Sequence, residues 1–267
     1  MKLRLALALI PTLAAASPAH AQTRTEAPVR IVLNLPAGRL DLYRGEEPLK
    51  SYPVSVGTAA YRTPGGSFRI RHAIWNPDWT PPRSDWARNR RYTPPGPGNP
   101  MGRVKLHLAG DVYIHGTPGG NERLLGSPAS HGCVRMSNRD VMELARTLHL
   151  HASPGVSEQR LDAIAAEPRR TAWVALARPV PVEVVYRVVE VREGRVTVHP
   201  DVYGRVHRLE PALRAALLGA GYHPFALDGE RLARAEANFR SGGRTVFAIA
   251  ELRPRPEPVM KLAATLP

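Results

Sequence analysis

One cysteine stands in the 267 residues, at position 133, inside the run Ser130-His131-Gly132-Cys133-Val134-Arg135. A lone thiol has three chemical readings. It is a small buried apolar residue, the usual fate of free cysteine. It is a nucleophile, if a neighbouring group takes its proton or stabilises the thiolate. Or it is a metal ligand, with His131 and His115 as partners. His131 lies two residues away, on the same side of an extended backbone. His115 ends an apolar segment upstream, and the polar loop 116–129 can fold it back onto Cys133. Glycines at 116 and 132 permit close backbone approach, which suits N–H groups aimed at an oxyanion, and Ser130 opens the same loop end. No Asp or Glu is placed to orient a catalytic histidine, so the Gly116 carbonyl is the candidate. Zinc sites use tighter spacing with a further ligand pair, or an HExxH helix, and the chain has neither. The expectation is no metal and no cofactor.

The N-terminus bears on the thiol. Lys2 and Arg4 precede an apolar run from Leu5 to Ala16, and Ala19-His20-Ala21 is a small-x-small site. This pattern predicts a secretory signal peptide over residues 1–21, cut after Ala21. The run falls short of the ~20 residues that span a bilayer, and no cysteine follows it to take a lipid. The expected mature protein is periplasmic, with no integral membrane segment. In an oxidising compartment one cysteine cannot close an internal disulfide, which leaves an intermolecular link or a free reactive thiol.

The formal charge is +14, from 37 basic and 23 acidic residues. Only Lys2, Lys50, Lys105 and Lys261 are lysines; the other basic residues are arginines spread along the chain. With no basic run and no aromatic ladder, a nucleic-acid partner is not expected. What remains is weak attraction to an anionic polymer such as the cell wall.

Elements must then position the chemistry. Val29, Ile31, Leu33 and Leu35 alternate, residues 36–39 turn, and strands follow over Leu40–Tyr43, Leu49–Val56 and Ser67–Arg71. Residues 72–102 read as a long irregular stretch, kept ordered by Trp75, Trp79 and Trp86, which either caps the site or packs. Short strands are predicted over Val104–Leu108 and Val112–His115. Ser137 with Asp140 starts a helix whose apolar stripe is Val141, Leu144, Ala145 and Leu148. A second helix over Ser157–Ala166, a hairpin over Val182–Val191 and Val196–His199, helices over Ala212–Leu218 and Glu230–Phe239, and a strand over Arg244–Ala250 complete the reading. From PRPEP onward a loose tail is expected. His107, His149, His151, His199, His207 and His223 have no partner visible in the sequence. The class is mainly β with a few short helices and a small C-terminal α/β appendage.

His115, fourteen residues, then Ser130-His131-Gly132-Cys133 resembles the signature of the L,D-transpeptidase catalytic domain, the YkuD family. Thr63-Pro64-Gly65-Gly66-Ser67-Phe68, Asn76-Pro77 with Pro81-Pro82, Gly98-Asn99-Pro100-Met101-Gly102 and Ile114-His115-Gly116-Thr117 also fit. PVPVEVVY (Pro179 to Tyr186) and PDVYG (Pro200 to Gly204) are similar to the end of that domain in periplasmic members, so the likeness covers roughly 28–204. Forms of the signature with asparagine two residues after the cysteine differ, since Arg135 stands there. Residues 205–267 match nothing recognisable and form an extension of unknown role.

The resemblance implies an L,D-transpeptidase-type β-sandwich and thiol acyl transfer on peptidoglycan stem tetrapeptides. Cys133 would attack the carbonyl between the third and fourth residues, release terminal D-alanine, and pass the acyl group to an amine. His115 would be the base. His131 and the Cys133 N–H would support the oxyanion, with Gly132, Gly116 and Ser130 shaping the loop. Arg135 either binds a substrate carboxylate or braces the loop. Carbapenem-type β-lactams are the implied inhibitors. The same fold also hosts hydrolases and endopeptidases. A zinc-binding protein using Cys133, His131 and His115 is the alternative of another class.

Overall fold

A computed structural model describes residues 27–223, 227–252 and 255–256. The expected signal peptide lies outside the described residues. The larger unit is built on one eight-stranded mixed sheet. Its strands are β1 (Val29–Asn34), β2 (Arg39–Arg44), β3 (Glu47–Pro53), β5 (Gly66–Trp75), β6 (Val104–Ala109), β7 (Val112–Thr117), β9 (Val134–Ser137) and β10 (Ala172–Val185). They run in the order β3-β2-β1-β10-β5-β6-β7-β9. Most neighbours are antiparallel, but β1 with β10 and β7 with β9 are parallel. Two short strands, β4 (Val56–Gly57) and β8 (Pro128–Ser130), pair beside this sheet.

Alternation decides which side chains enter the core. Val29, Ile31 and Leu33 of β1 and Val104, Leu106 and Leu108 of β6 join one buried cluster. It is closed by α1 (Asn138–Ala152) and the shorter α2 (Glu158–Ala166). Helix α1 buries Val141, Leu144, Ala145 and Leu148, and the Ser137 hydroxyl accepts the Asp140 N–H at 3.0 Å as its N-cap. The expected helix start and stripe are both present.

The α/β appendage contains β11 (Val189–Arg192), β12 (Arg195–Val198), α3 (Leu209–Gly219), α4 (Gly229–Arg240) and β14 (Thr245–Ala248). A short strand, β13 (Tyr222–His223), pairs with β15 (Arg255–Pro256), and β15 lies in the stretch expected to be a loose tail. The appendage has its own core of Val196, Val198, Leu209, Leu213, Leu217 and Phe239. That core takes in the β11–β12 hairpin, which by sequence belongs with the larger domain. His199, without a visible partner in the sequence, holds Glu190 at 2.9 Å. His149 is buried and accepts from Trp75 Nε1 at 3.3 Å.

The long loop begins one strand-end later than its composition suggests, because β5 continues through His72 to Trp75. Asn76 then turns the chain with φ of 45°, a left-handed conformation that asparagine tolerates. Its amide donates to the carbonyls of Ile164, Glu167 and Arg170, and its Oδ1 accepts Arg103 Nε at 2.9 Å. Both ends of the loop, at 76 and 103, are thereby tied to the α2 side of the molecule. Asn76→Ala leaves three carbonyls and a guanidinium short of partners in a buried place. We expect a loss of about 2–4 kcal/mol, judged from the cost of unsatisfied buried groups, measured by denaturant unfolding. A change under about 0.5 kcal/mol would contradict the anchoring role.

Candidate active site

Parallel pairing of β7 with β9 brings the two ends of the motif together. His115 lies opposite Arg135, and Cys133 immediately precedes β9. The Cys133 Sγ accepts the Tyr113 backbone N–H at 3.4 Å and donates toward the Asp111 carbonyl at 3.7 Å. Among the described residues no hydrogen bond joins the thiol to His115, but both line one cleft of about 1420 Å³.

His115 is 4% exposed, and its Nδ1 donates to the Gly116 carbonyl at 2.6 Å. A carbonyl only accepts, so Nδ1 carries the hydrogen and Nε2 keeps its lone pair. Burial, with smaller contributions from Arg135 and Lys105, lowers its pKa to about 4 against the opposing pull of the Gly116 bond. The ring is therefore neutral near pH 7. Burial also pushes the Cys133 thiol up, partly offset by the Tyr113 N–H and the Arg135 charge. The resting pair is a neutral thiol and a neutral imidazole.

Gly132 has φ of 110°, open to glycine alone at low cost. Its N–H donates to Ser130 Oγ at 3.1 Å, and Ser130 Oγ donates to the Cys133 carbonyl at 2.5 Å. The Gly132 N–H is thus committed, whereas the Cys133 N–H has no partner among the described residues. Gly116 is glycine for space: a Cβ there would sit 2.3 Å from Asn138 Oδ1.

His131 is exposed and held by rings rather than by hydrogen bonds. It stacks on Trp86 of the long loop, centroids 4.2 Å apart and planes 16° off parallel, and meets Tyr61 at 4.7 Å. The loop therefore does cover the cleft. Partial burial, Arg135 and Arg90 lower the His131 pKa. Arg135 Nη1 donates to the Ala129 carbonyl at 3.1 Å, which braces the loop, yet the guanidinium has no carboxylate partner among the described residues. Arg83, Arg90, Arg91 and Lys105 also line the cleft, and Asp111 is its one acid. Basic side chains thus outnumber acidic ones along the cleft.

Cys133, His131 and His115 do not assemble a metal site. Among the described residues no group of three or more His, Cys, Asp or Glu is placed to hold an ion.

Several contributors escape the sequence reading. Tyr113 and Asp111 act on the thiol through backbone atoms, which leave no mark on residue type. Thr63 and Tyr203 sit in recognisable motifs, TPGGSF and PDVYG, but their role is visible only in space. The buried Thr63 hydroxyl donates to the Gly132 carbonyl at 2.8 Å, and the Thr63 N–H donates to the Tyr203 hydroxyl at 3.0 Å.

The family model for the L,D-transpeptidase catalytic domain, YkuD, matches residues 28–182, more than half of the chain. The chain belongs to that family. The YkuD protein of Bacillus licheniformis is 38% identical over 119 residues, 44% of this chain and 59% of that protein. The YbiS protein of Escherichia coli is 32% identical over 121 residues, 42% of this chain and 39% of its own length. The chain thus spans well under two thirds of these relatives. Among solved structures, the catalytic domain of an E. faecium L,D-transpeptidase is similar at 15% identity and a TM-score of 0.38, over 59% of this chain and 96% of that one. An L,D-transpeptidase solved in complex with imipenem is 21% identical with a TM-score of 0.37, over 59% of this chain and 58% of that one.

If His115 Nε2 takes the thiol proton, His115→Ala should slow alkylation of Cys133 at pH 7 by at least about tenfold, the low end of base catalysis. His207→Ala, at an exposed position, should not. In the unmodified protein the rate should collapse on the acid side only as pH falls toward 4, where the ring protonates, and not around 6.5. Equal rates in the two variants would remove the base.

Proposed function

We propose that the chain is an exported, cysteine-dependent L,D-transpeptidase acting on peptidoglycan stem tetrapeptides. In this reading residues 1–21 are a signal peptide, 28–204 the catalytic domain, and 205–267 an extension. The observation that carries it is the pairing, within one cation-lined cleft, of the sole thiol with an imidazole whose Nδ1 is fixed on a carbonyl. No helix among the described residues is long and apolar enough to cross a membrane.

The thiol proton moves to His115 Nε2 as Sγ attacks the carbonyl between the third and fourth stem residues. The oxyanion is met by the Cys133 N–H, with the nearby His131 ring and the Arg135 charge favouring negative charge. As the C–N bond breaks, His115 returns the proton to the departing D-alanine amine, leaving a thioester. An acceptor amine attacks that carbonyl, gives its proton to His115, and expels the sulfur, which recovers its proton. Arg135 holds a stem carboxylate while the loop carbonyl of Ala129 steadies it.

The acceptor is a second stem amine or a free D-amino acid, because a positively lined cleft favours a carboxylate-bearing acceptor over a neutral one. Purified protein with tetrapeptide muropeptides should give cross-linked dimers or swapped terminal residues by mass spectrometry, and Cys133→Ala should give neither. Shortened monomers alone would replace this reading with a hydrolase. Acyl chemistry at a thiol also predicts that a carbapenem adds its intact mass to the wild-type protein but not to Cys133→Ala. A folded sample without adduct would count against the nucleophile.

A further inference from the structure

The sheet face that carries Cys133 continues past the cleft. Side chains on one face of a sheet meet where register pairs their strands. Tyr113 of β7 pairs with His107 of β6, and the rings meet edge-on at 5.3 Å. His107 and His72 of β5 line a second depression of about 690 Å³, together with Arg69, Arg71 and Glu183. His72 stacks on the Trp173 indole of β10, with centroids 4.9 Å apart and planes 27° off parallel. Two ring pairs that share this depression thus lie between the Cys133 end of the sheet and Trp173, four strand steps or about 19 Å at the usual strand spacing.

Three features of this stretch point to a ligand. Trp173 is 67% exposed, the most exposed of the large hydrophobic side chains described. A rigid, flat indole left in water provides contact area at little entropic cost. Arg69 and Arg71 have no carboxylate partner among the described residues, and Glu183 is the one acid lining the depression. Length supplies the third argument. With the third stem carbonyl at Sγ, an extended stem reaches its sugar within about 10 Å, so a group ~19 Å away meets the glycan and not the reacting peptide.

We propose that this stretch is a second binding surface, a track that holds a glycan strand bearing carboxylate-tipped peptides while one of its peptides reacts at Cys133. Pyranose C–H faces lie on Trp173, and peptide carboxylates meet Arg69 and Arg71. The ligand's identity rests on the transpeptidase reading, but binding can be measured without turnover.

The test uses the full chain and two readouts, co-sedimentation with isolated peptidoglycan sacculi and turnover of a soluble disaccharide tetrapeptide. Trp173→Ala combined with Arg71→Glu should weaken sacculus binding about tenfold, the scale of losing an aromatic anchor, and leave soluble-fragment turnover within about twofold. Trp173→Phe, which keeps a flat ring, should retain most of the binding, and ~0.5 M salt should weaken the wild type. Undiminished sacculus binding by the double variant overturns the track, as does an equal loss of both readouts in Trp173→Phe. A dimer that Trp173→Ala dissociates, with sacculus binding intact, would assign the face to a second copy and also overturn it. Trp173-dependent binding by a protein that turns over no fragment would support the track and sink the transpeptidase reading alone.

Discussion

The hydrogen bond from His115 Nδ1 to the Gly116 carbonyl is the constraint around which the site is arranged. It fixes which imidazole nitrogen has a lone pair, and it does so with backbone where many enzymes use a carboxylate. The same glycine sets the packing. Its missing Cβ lets Asn138 Oδ1 approach, and that oxygen accepts the Arg103 N–H at 2.8 Å. Arg103 in turn holds Asn76. One residue therefore links the histidine tautomer, the start of α1 and both ends of the covering loop. Any side chain at 116 would push β7 off α1 and disturb all three together.

Electrostatics around the thiol favour restraint over permanent activation. Burial raises the thiol and lowers the imidazole, so no resting ion pair forms, although five basic side chains face the cleft. Thiolates, not thiols, are oxidised and alkylated readily. A neutral thiol beneath the Trp86 loop suits a free cysteine in the oxidising compartment proposed for it. In the proposed reaction, a substrate that displaces water would let the cations act in a lower dielectric and stabilise developing negative charge more strongly.

Legibility in the sequence followed the scale of the interaction. The Ser137 cap and the stripe of α1 could be read because they are local and periodic. Cys133 stood out as the one cysteine, whereas His115 stood out among ten histidines only by its place at a strand end and in the motif. Strand β10 was hidden over its first ten residues: Pro179 and Pro181 argue against a central strand, yet a register shift between Ala175 and Val180 accommodates the break. The extension of β5 to Trp75 was hidden because the turn residue is Asn76, one position beyond the apolar run. Contacts made by the Tyr113 N–H and the Asp111 carbonyl could not be read at all, because every residue has the same backbone groups.

The family match ends at residue 182, but the site does not. Tyr203 is 3% exposed, its hydroxyl donates to the Gly57 carbonyl at 3.0 Å, and it accepts the Thr63 N–H. Thr63 then holds the carbonyl of Gly132, one residue from Cys133. A second tie crosses from β2 to the hairpin: Arg39 reaches Glu190 at 2.7 Å, and Arg192 reaches Asp41 at 2.8 Å. Burial alone would raise the Glu190 carboxyl, but the His199 hydrogen bond and Arg39 pull it down to about 2. Ion pairs this buried add little net stability against well-packed apolar groups, while removing one member strands the others. Their effect is to fix geometry. The hairpin and Tyr203 are thereby held in register with β2 and Thr63, and the loop that aims Cys133 inherits that register through two hydrogen bonds.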